Sequence, residues 1–347
     1  MAARSHDHPW RTCNPVLIEL TRGPRIESVH RGAAAVATAD GEVLAAWGDI
    51  DRPVFVRSAA KPLQALALVE SGAADAFAVT AAELALACGS HGGEPRHVAV
   101  VGGWLARLGL DARALVCGPH PPLDPAAAAE LIRAGGQPSA IHNNCSGKHA
   151  GFLTAARHLG LPVAGYGDAR HPLQDRIRRA IGEMGDVAVG DDMLGADGCG
   201  VPAFALPLRA LALAFARLAR PEGLPRPRSD AARRILAAMA AHPAMVAGSG
   251  RFDTAVIHAS SGRVLSKGGA EAVHAAAIPA LGIGIAVKID DGGKRASEAA
   301  MAALLLAHAR PDATAAVCLA GYARQPLRNT LGATVGELRT APGWPAG

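Results

Sequence analysis

Lysine is scarce in this sequence, and several of its lysines lie beside serine or cysteine. Of the 35 basic residues, five are lysine and the other 30 are arginine. Arginine stays protonated, whereas a lysine amine that loses its proton can act as a base or bind a metal ion. Lys61, Lys148 and Lys267 lie in the segments RSAAKP, NNCSGKHAG and LSKGG. We predict that these three lysines carry chemistry, with codon bias and chance as the alternative for any one of them.

Ser58 and Lys61 form a Ser-x-x-Lys pair at the predicted start of a helix. Residues i and i+3 lie on one face of a helix, so the hydroxyl and the amine can touch. A serine attacks poorly unless a neighbouring base removes its proton, which a lysine with a depressed pKa can do. The pattern is common by chance, and its alternative is a helix-capping serine beside a surface lysine.

A second serine and lysine, Ser90 and Lys267, lie in the segments GSHGG and LSKGG. Glycines beside Ser90 let the backbone approach a ligand closely, although an ordinary loop that ends a helix would also contain them. Penicillin-recognising serine enzymes use the order Ser-x-x-Lys, a later serine, and a lysine–glycine motif on a late strand. The combination favours acyl transfer by serine and lysine.

Two cysteines and a lysine, in CSGK and DGCG, are candidate metal ligands. Two thiolates and one further nitrogen or oxygen ligand suit zinc and leave a fourth position open. The first candidates are Cys145, Lys148 and Cys199. Lysine is a rare ligand, so other third ligands stay open, namely His91, His142 and His149. The competing explanation is that the cysteines are buried and inert.

The composition excludes several other classes of protein. Aromatic residues make up only 3% of the chain, which argues against a stacking platform for single-stranded nucleic acid. The net charge of +5 comes from arginines scattered singly or in pairs, so we expect no nucleic-acid partner. We find neither an apolar stretch that could span a membrane nor the apolar core of a secretion signal. We therefore predict a cytoplasmic protein whose six cysteines are free thiols or metal ligands.

The elements that must position these segments follow the order strands, helices, strands. A chain of 347 residues can bury a large core in one large or two closely packed domains. Strands are predicted at Val16–Leu20 and on both sides of a hairpin turn at Asp40-Gly41. Thr80 and Glu83 form a capping box that begins a helix at Ala81. Helical patterns then dominate as far as residue 241.

The pattern changes after Arg251. Thr254–Ala259 and Arg263–Ser266 are predicted as the two strands of a hairpin. A strand at Leu281–Ile289 and a helix over Lys294–His308 follow. This order predicts an α+β fold in which both ends of the chain build one sheet, with a mostly helical insert between them.

The predicted domains follow from this order. We assign residues 1–72 and 200–347 to a sheet domain and residues 73–199 to a mostly helical domain. The candidate serines then come from both domains, so we expect the active site to lie between them.

Seven segments of the chain together resemble a known family. In chain order, over roughly residues 16–325, they are RSAAKPLQ, ACGSHGGEPRH, IHNNCSGKHAGF, DGCGVPAFALPL, GRFDT, KGGAEAV and KIDDGG. Their combination resembles the asparaginase II family, the Rhizobium-type L-asparaginases. The resemblance implies a fold similar to the serine β-lactamases and serine glutaminases, with an antiparallel sheet flanked by helices.

The resemblance implies an activity as well. It implies a homodimer that hydrolyses the side-chain amide of L-asparagine, and two serine–lysine pairs, Ser58 with Lys61 and Ser90 with Lys267. By analogy with Ser-x-x-Lys enzymes we favour Ser58 as the nucleophile, and the second pair is the alternative. Competing functions are a serine glutaminase, a β-lactamase-like hydrolase of amides or esters, and a non-enzymatic, zinc-stabilised module that binds amino acids.

The resemblance further implies a zinc site near these serines. Three residues match its ligands, Cys145, Lys148 and Cys199. Asp197 matches a residue that contacts the substrate or the surroundings of the metal, and Arg57 and His149 lie inside matching motifs. We therefore expect Arg57, Asp197 and His149 to bind substrate.

Overall fold

Strands near both ends of the chain form the main sheet of the structure, a computed structural model that describes residues 14–345. The strands in this range are β1 (Val16–Arg22), β2 (Arg25–Thr38), β3 (Val43–Trp47), β4 (Pro53–Phe55), β5 (Leu194–Ala196), β6 (Pro202–Pro207), β7 (Leu265–Gly268), β8 (Val273–Ile278), β9 (Ile283–Ile289), β10 (Gln325–Arg328) and β11 (Thr334–Thr340). The main sheet is antiparallel with the order β10-β11-β1-β2-β9-β8-β7, and β3 pairs with β2. The prediction of one sheet built from both chain ends is confirmed.

The hairpin of β2 and β3 confirms the turn predicted at Asp40-Gly41. Gly41 has a φ of 94°, a left-handed conformation that glycine adopts without a steric clash. A smaller sheet has the order β4-β6-β5. Strands β4 and β5 are both antiparallel to β6, so both of them end near the first residues of β6. The residues that follow β4 and those that follow β5 therefore lie close together.

Helices fill the middle of the chain and cover the main sheet. Within residues 14–345 they are α1 (Lys61–Gln64), α2 (Leu66–Glu70), α3 (Ala73–Ala76), α4 (Ala81–Ala87), α5 (Pro95–Arg107), α6 (Pro125–Arg133), α7 (Ser146–His158), α8 (Pro172–Gly185), α9 (Leu208–Ala219), α10 (Arg226–Ala241), α11 (Pro243–Val246), α12 (Phe252–Ala259), α13 (Lys294–His308) and α14 (Ala313–Ala323). The capping box of Thr80 and Glu83 is confirmed. None of these helices combines the length and the apolar character that crossing a membrane requires.

The two faces of the main sheet belong to two hydrophobic cores. On one face, Val36 and Ile285 pack in a cluster with α13 and α14. On the other face, Ala35 and Ala286 pack in a cluster with α9 and the helices of the middle segment. A Cβ at Gly284 would lie 2.1 Å from a carbonyl oxygen of α9, so the helix packs directly on the backbone of β9. The predicted α+β class, an antiparallel sheet flanked by helices with a mostly helical insert, is confirmed.

One hydrophobic core crosses the predicted domain boundaries. It joins Ala35 of the sheet to Trp104 and Phe152 of the middle segment. Helix α10, which follows the boundary at residue 200, packs against α2 and α4. The division into domains stays a prediction. Cys13 and the N-terminal segment used to predict the location of the protein lie outside the described residues.

Two predicted elements differ from the structure. Thr254–Ala259 is part of α12 and not a strand, because burial at the helical spacing of Phe252, Val256 and Ile257 overrides the strand preference of its β-branched residues. The helix expected to start near Ser58 begins as a 3₁₀ turn over Arg57–Ala60 and continues as α1 and α2.

Candidate active site

Ser90 lies in the loop after α4, which is held closely against α11. The Ser90 N–H donates to the Val246 carbonyl at 2.8 Å. A Cβ at Gly89 would lie 2.4 Å from the Met245 carbonyl oxygen, so this approach requires glycine. The next residue, His91, is buried, and both of its ring nitrogens lie within hydrogen-bonding distance of a partner. These contacts fix the position from which the Ser90 side chain extends.

Two buried lysine amines converge on the Ser90 hydroxyl. Lys61 Nζ lies 3.0 Å and Lys267 Nζ lies 3.1 Å from Ser90 Oγ. Lys61 begins α1 and Lys267 lies on β7, so separate elements hold the two amines. Both lysines are 1% exposed, and Ser90 is 7% exposed. The structure therefore brings the second predicted pair together with the lysine of the first.

Lys61 has the surroundings of an ammonium group. Its Nζ donates to the carbonyl oxygens of Gly89 and Asn144, at 2.5 and 3.3 Å, in addition to Ser90. These three acceptors match the three protons of a charged lysine. Burial lowers the pKa of Lys61, and the charge of Cys145 opposes this effect. The hydrogen bonds indicate that Lys61 can hold a positive charge beside Ser90.

Lys267 is better suited to take a proton. Burial lowers its pKa to about 7, although the nearby Asp253 carboxylate acts in the opposite direction. Besides Ser90, its amine contacts only the Gly268 carbonyl among the described residues. A neutral amine within hydrogen-bonding distance of a serine hydroxyl can take its proton as a general base.

Asp253 anchors the strand that carries Lys267. Its buried carboxylate accepts from the Gly268 N–H at 3.0 Å and from the Ser266 hydroxyl at 2.8 Å, and it lies 2.9 Å from His274 Nε2. Burial alone would raise the pKa of Asp253, but His274 and these hydrogen bonds hold it well below its ordinary value. Asp253 lies in the segment GRFDT and His274 directly follows KGGAEAV, but no spacing in the sequence assigned either residue a role.

Ser58 lies at the same cavity as Ser90 but does not contact Lys61. Its hydroxyl has no hydrogen-bond partner within residues 14–345, whereas the Lys61 amine is directed at Ser90. A buried ammonium group needs several acceptors, and the carbonyls of Gly89 and Asn144 supply them near Ser90. The expected hydroxyl–amine contact within Ser-x-x-Lys is therefore absent.

Arg57 and Asp197 form an ion pair where β4 and β5 end. The Arg57 Nε and Nη2 atoms each lie 2.9 Å from Asp197 Oδ1. Arg57 has a φ of 44°, a left-handed conformation that is strained for a residue with a side chain. Burial would raise the pKa of Asp197, but the charges of Lys148 and Arg57 lower it. The pair holds an unusual backbone turn immediately before Ser58.

The candidate metal ligands Cys145, Lys148 and Cys199 lie together in the interior. Lys148 Nζ lies 3.0 Å from Cys199 Sγ, and Cys145 lies close enough to Cys199 for each thiol to shift the pKa of the other. The interaction with Cys199, together with the charges of Lys61 and Lys148, holds the pKa of Cys145 well below its ordinary value despite burial. Burial lowers the pKa of Lys148, but the two cysteines outweigh it and raise the value to about 12. Two sulfurs and one nitrogen thus converge, and this donor set fits a zinc ion.

Each of the histidines considered as alternative ligands makes a side-chain contact of its own, and among their buried ring nitrogens only Nε2 of His149 lacks a hydrogen-bond partner within residues 14–345. His91 contacts Ser146, and His142 contacts Ser139. His149 is fully buried with its Nδ1 at 2.7 Å from the Tyr166 hydroxyl. In the part of the chain that the structure describes, no three histidine, cysteine, aspartate or glutamate side chains group closely enough for a metal. The candidate site therefore depends on the lysine.

A cavity of about 180 Å³ opens beside Ser90. Drug-sized pockets measure roughly 300–1,000 Å³, so this cavity suits a smaller molecule. Residues of several chemical types line it, among them Ser58, Ser90, Asn144, Arg251, Lys294 and Glu298. Arg57, Asp197 and His149, which we expected to bind substrate, do not line it. Arg251 lies in the segment GRFDT, but no role for Arg251 or Glu298 could be predicted from the sequence, because neither has a serine–lysine spacing.

The two remaining lysines have separate environments. Lys288 donates to the backbone carbonyls of Glu271 and Ile289, which makes it a structural contact of β9. Lys294 begins α13 at the edge of the cavity and pairs with Glu298 at 3.0 Å. Only Lys294 of these two therefore lies at the candidate site.

An α+β fold with a buried serine between two lysine amines is an arrangement suited to acyl transfer. The chain belongs to the L-asparaginase II family, whose model matches residues 18–340. The predicted family is thereby confirmed. No curated protein matched the sequence.

Several solved structures are similar to the chain at low identity. A native form of Mglu is 16% identical with a TM-score of 0.42, and the match covers 77% of this chain and 61% of that one. A glutamate form of Mglu is 17% identical with a TM-score of 0.43, covering 78% and 59%. A beta-lactamase from Mycobacterium bovis is 16% identical with a TM-score of 0.36, covering 84% and 94%. The chain spans 56% to 64% of the matched Mglu structures, and scores this low support no argument about activity.

Proposed function

We propose that the protein hydrolyses the side-chain amide of L-asparagine to L-aspartate and ammonia. The observation that carries this proposal is the Ser90 hydroxyl, which lies between the amines of Lys61 and Lys267 at the wall of a small cavity. Membership of the L-asparaginase II family supports an amide as the bond that is cleaved. The homodimer and the cytoplasmic location stay predictions.

In the proposed reaction Ser90 is the nucleophile and Lys267 the base. Lys267 takes the hydroxyl proton while Ser90 Oγ bonds to the amide carbon. The C–N bond then breaks, and the leaving ammonia takes the proton from Lys267. Water attacks the resulting ester and gives a proton to Lys267, which passes it to Ser90 Oγ as the ester C–O bond breaks and aspartate is released. The ammonium group of Lys61 stabilises the developing charge on Ser90 Oγ, so we revise the preference for Ser58 as nucleophile.

We assign Ser58 to the oxyanion that forms in this reaction. The Ser90 N–H already donates to Val246, whereas the Ser58 N–H has no hydrogen-bond partner within residues 14–345. Ser58 also lines the cavity. The strained turn at Arg57, held by its ion pair with Asp197, sets the direction of this N–H group. Oxyanion donors of this kind contribute strongly because they are fixed before the reaction.

We also propose that Cys145, Lys148 and Cys199 hold a zinc ion. Their mutual contacts and their burial support this, and Lys148 would bind as the neutral amine. A bound zinc ion would supply positive charge beside the site. Lys61 lies between this cluster and Ser90, because the charge of Cys145 opposes the lowering of its pKa by burial and its amine donates a hydrogen bond to Ser90.

Zinc is expected in the purified protein at full or partial occupancy. Elemental analysis of the wild type, without added chelator, should detect it, and Cys145→Ser and Cys199→Ser should lose most of it because each removes a thiolate ligand. Cys318→Ser is the matched control, since Cys318 lies on α14 away from the cluster. A wild type that contains no metal, and whose activity does not change when zinc is added, would remove zinc from the proposal.

Ammonia release by the purified protein tests the proposed substrate. We expect kcat/KM for L-asparagine to exceed that for L-glutamine by about 10- to 100-fold, since a fitted pocket discriminates one methylene group to this degree. Equal or faster release from glutamine would point to a serine glutaminase. Opening of a β-lactam with no release from either amino acid would point to a β-lactamase-like hydrolase and overturn the proposal.

A further inference from the structure

The cavity beside Ser90 carries charges of opposite sign that the proposed chemical steps do not use. Arg251 contributes a guanidinium group from the segment before α12, and Glu298 contributes a carboxylate from α13. Lys294 lies at the same wall. A cavity of about 180 Å³ brings these groups close to any molecule that it holds. We therefore ask which charged groups of a ligand these side chains could bind.

Arg251 has donors that no carboxylate within residues 14–345 uses. One guanidinium N–H donates to the Ser90 carbonyl at 3.1 Å. Arg251 is half-buried, and it makes no ion pair with any residue between 14 and 345. In contrast, Arg57 and Arg52 are paired with Asp197 and Asp290. A guanidinium group offers five donors in a planar fork that fits a carboxylate, so Arg251 keeps capacity for an anionic ligand.

Among the described residues, Glu298 forms one ion pair, with Lys294, and a ligand could replace that partner. It pairs with Lys294 one helical turn earlier, and the Lys294 side chain is 68% exposed while that of Glu298 is 18% exposed. An ion pair with a largely exposed lysine contributes little stability, because water solvates the free lysine nearly as well. A ligand ammonium group inside the cavity can therefore take the place of Lys294.

We propose that Arg251 binds the α-carboxylate and Glu298 the α-ammonium group of a free amino-acid substrate. This inference rests on the proposed function, and it narrows the substrate class to amino acids with both groups unblocked. Arg251 also donates a hydrogen bond to the Ser90 carbonyl. A substrate α-carboxylate bound to Arg251 would therefore be held at a defined distance from the Ser90 hydroxyl. An asparagine inside a peptide lacks both charges and is excluded.

Truncated substrates separate the two contacts. Succinamate is asparagine without the α-amino group, and β-alaninamide is asparagine without the α-carboxylate. In Arg251→Gln, the ratio of kcat/KM for L-asparagine to that for β-alaninamide should fall about 10- to 100-fold, the loss typical of a hydrogen bond between charged groups. In Glu298→Gln, the ratio for L-asparagine to succinamate should fall by a similar factor. A merely structural role would lower both rates and leave each ratio unchanged.

A third variant identifies a wrong assignment. If the ratio of kcat/KM for L-asparagine to that for β-alaninamide falls in Lys294→Gln but not in Arg251→Gln, Lys294 binds the carboxylate and the proposal is overturned. Unchanged ratios in both Arg251→Gln and Glu298→Gln, with active wild type, would overturn the inference and leave the proposed function standing.

Calorimetric titration with L-aspartate provides a readout that does not depend on turnover. Wild type should bind L-aspartate, and Arg251→Gln and Glu298→Gln should each weaken binding about 10-fold or more. If the wild type binds L-aspartate, both variants bind it more weakly, and the wild type releases no ammonia, the proposed reaction is overturned but the proposed recognition of amino acids is supported. A wild type that neither binds L-aspartate nor hydrolyses L-asparagine would overturn both.

Discussion

Replacing Ser90 by alanine is expected to lower kcat for ammonia release from L-asparagine by roughly 10⁴- to 10⁶-fold, the range seen when a serine nucleophile is removed. The reason is that Ser90 Oγ is the atom on which Lys61 and Lys267 converge. Without it the two amines face a gap that no other described hydroxyl fills. The residual rate would reflect binding and oxyanion stabilisation alone.

Ser58→Ala is the matched control for this variant. It removes a hydroxyl from the same cavity but keeps the backbone N–H that we assign to the oxyanion, so we expect a loss within about 100-fold. Thermal unfolding of both variants checks that each is folded. Near-normal turnover by Ser90→Ala together with an inactive Ser58→Ala would restore Ser58 as the nucleophile.

Trapping the acyl-enzyme locates the nucleophile directly. A reaction with L-asparagine that is quenched by acid should leave an aspartyl ester on the peptide that contains Ser90, detected by mass spectrometry. The same adduct on the peptide that contains Ser58 would contradict the assignment even if both alanine variants are inactive.

The sequence alone was sufficient where local signals decide the structure. The turn at Asp40-Gly41 needs a residue that accepts a positive φ, and the helix at Ala81 needs the cap supplied by Thr80 and Glu83. Both signals span a few residues, so no distant contact could override them. The sheet built from both chain ends followed from the order of such elements.

Long-range packing decided what the sequence did not reveal. Thr254–Ala259 has the β-branched residues of a strand, yet it forms a helix because its apolar residues bury one helical face. Lys61 contacts Ser90, 29 residues away, and not Ser58, because backbone carbonyls near Ser90 complete its set of acceptors. No spacing rule states which carbonyls a fold will bring to a buried amine.

The candidate metal ligands illustrate an intermediate case. The residue types of Cys145, Lys148 and Cys199 indicated a metal site, but their contact depends on the small sheet that places DGCG beside α7. Glu298 gave no signal, and Arg251 was marked only by its place in GRFDT, because a single charged residue in a loop or helix usually faces water. Only the cavity distinguishes them from other charged residues.

The activity of the wild type is expected to depend on a group that titrates near pH 7. Burial lowers the pKa of Lys267 to about 7, with the positive charges of Lys61 and Arg251 acting in the same direction and Asp253 and Cys145 in the opposite one. A base must be neutral to accept a proton, so kcat/KM should rise about tenfold for each pH unit below this value and level off above it. Activity should therefore fall on the acidic side.

Lys267→Met and Lys267→Arg test this assignment. Methionine fills the space without an amine, and arginine keeps the charge but cannot lose its proton. We expect kcat to be about 10²- to 10⁴-fold lower in both variants. We also expect both to lose the acidic limb of the pH profile, which is the fall of kcat/KM below pH 7. Lys61→Met should also be slow, but it should keep that limb, because Lys61 acts as the charged group and not as the base.

Stability separates a lost base from a damaged fold. The pKa of Lys267 is lower in the folded protein than in the unfolded chain, so the folded state binds fewer protons between pH 7 and the ordinary lysine pKa of 10.5. The free energy of unfolding therefore rises with pH across this window, and below it the buried charge opposes folding. Lys267→Met removes that charge, so its melting temperature at pH 6 should equal or exceed that of the wild type. A variant with intact stability that still shows an acidic limb near pH 7 would assign the base to another residue.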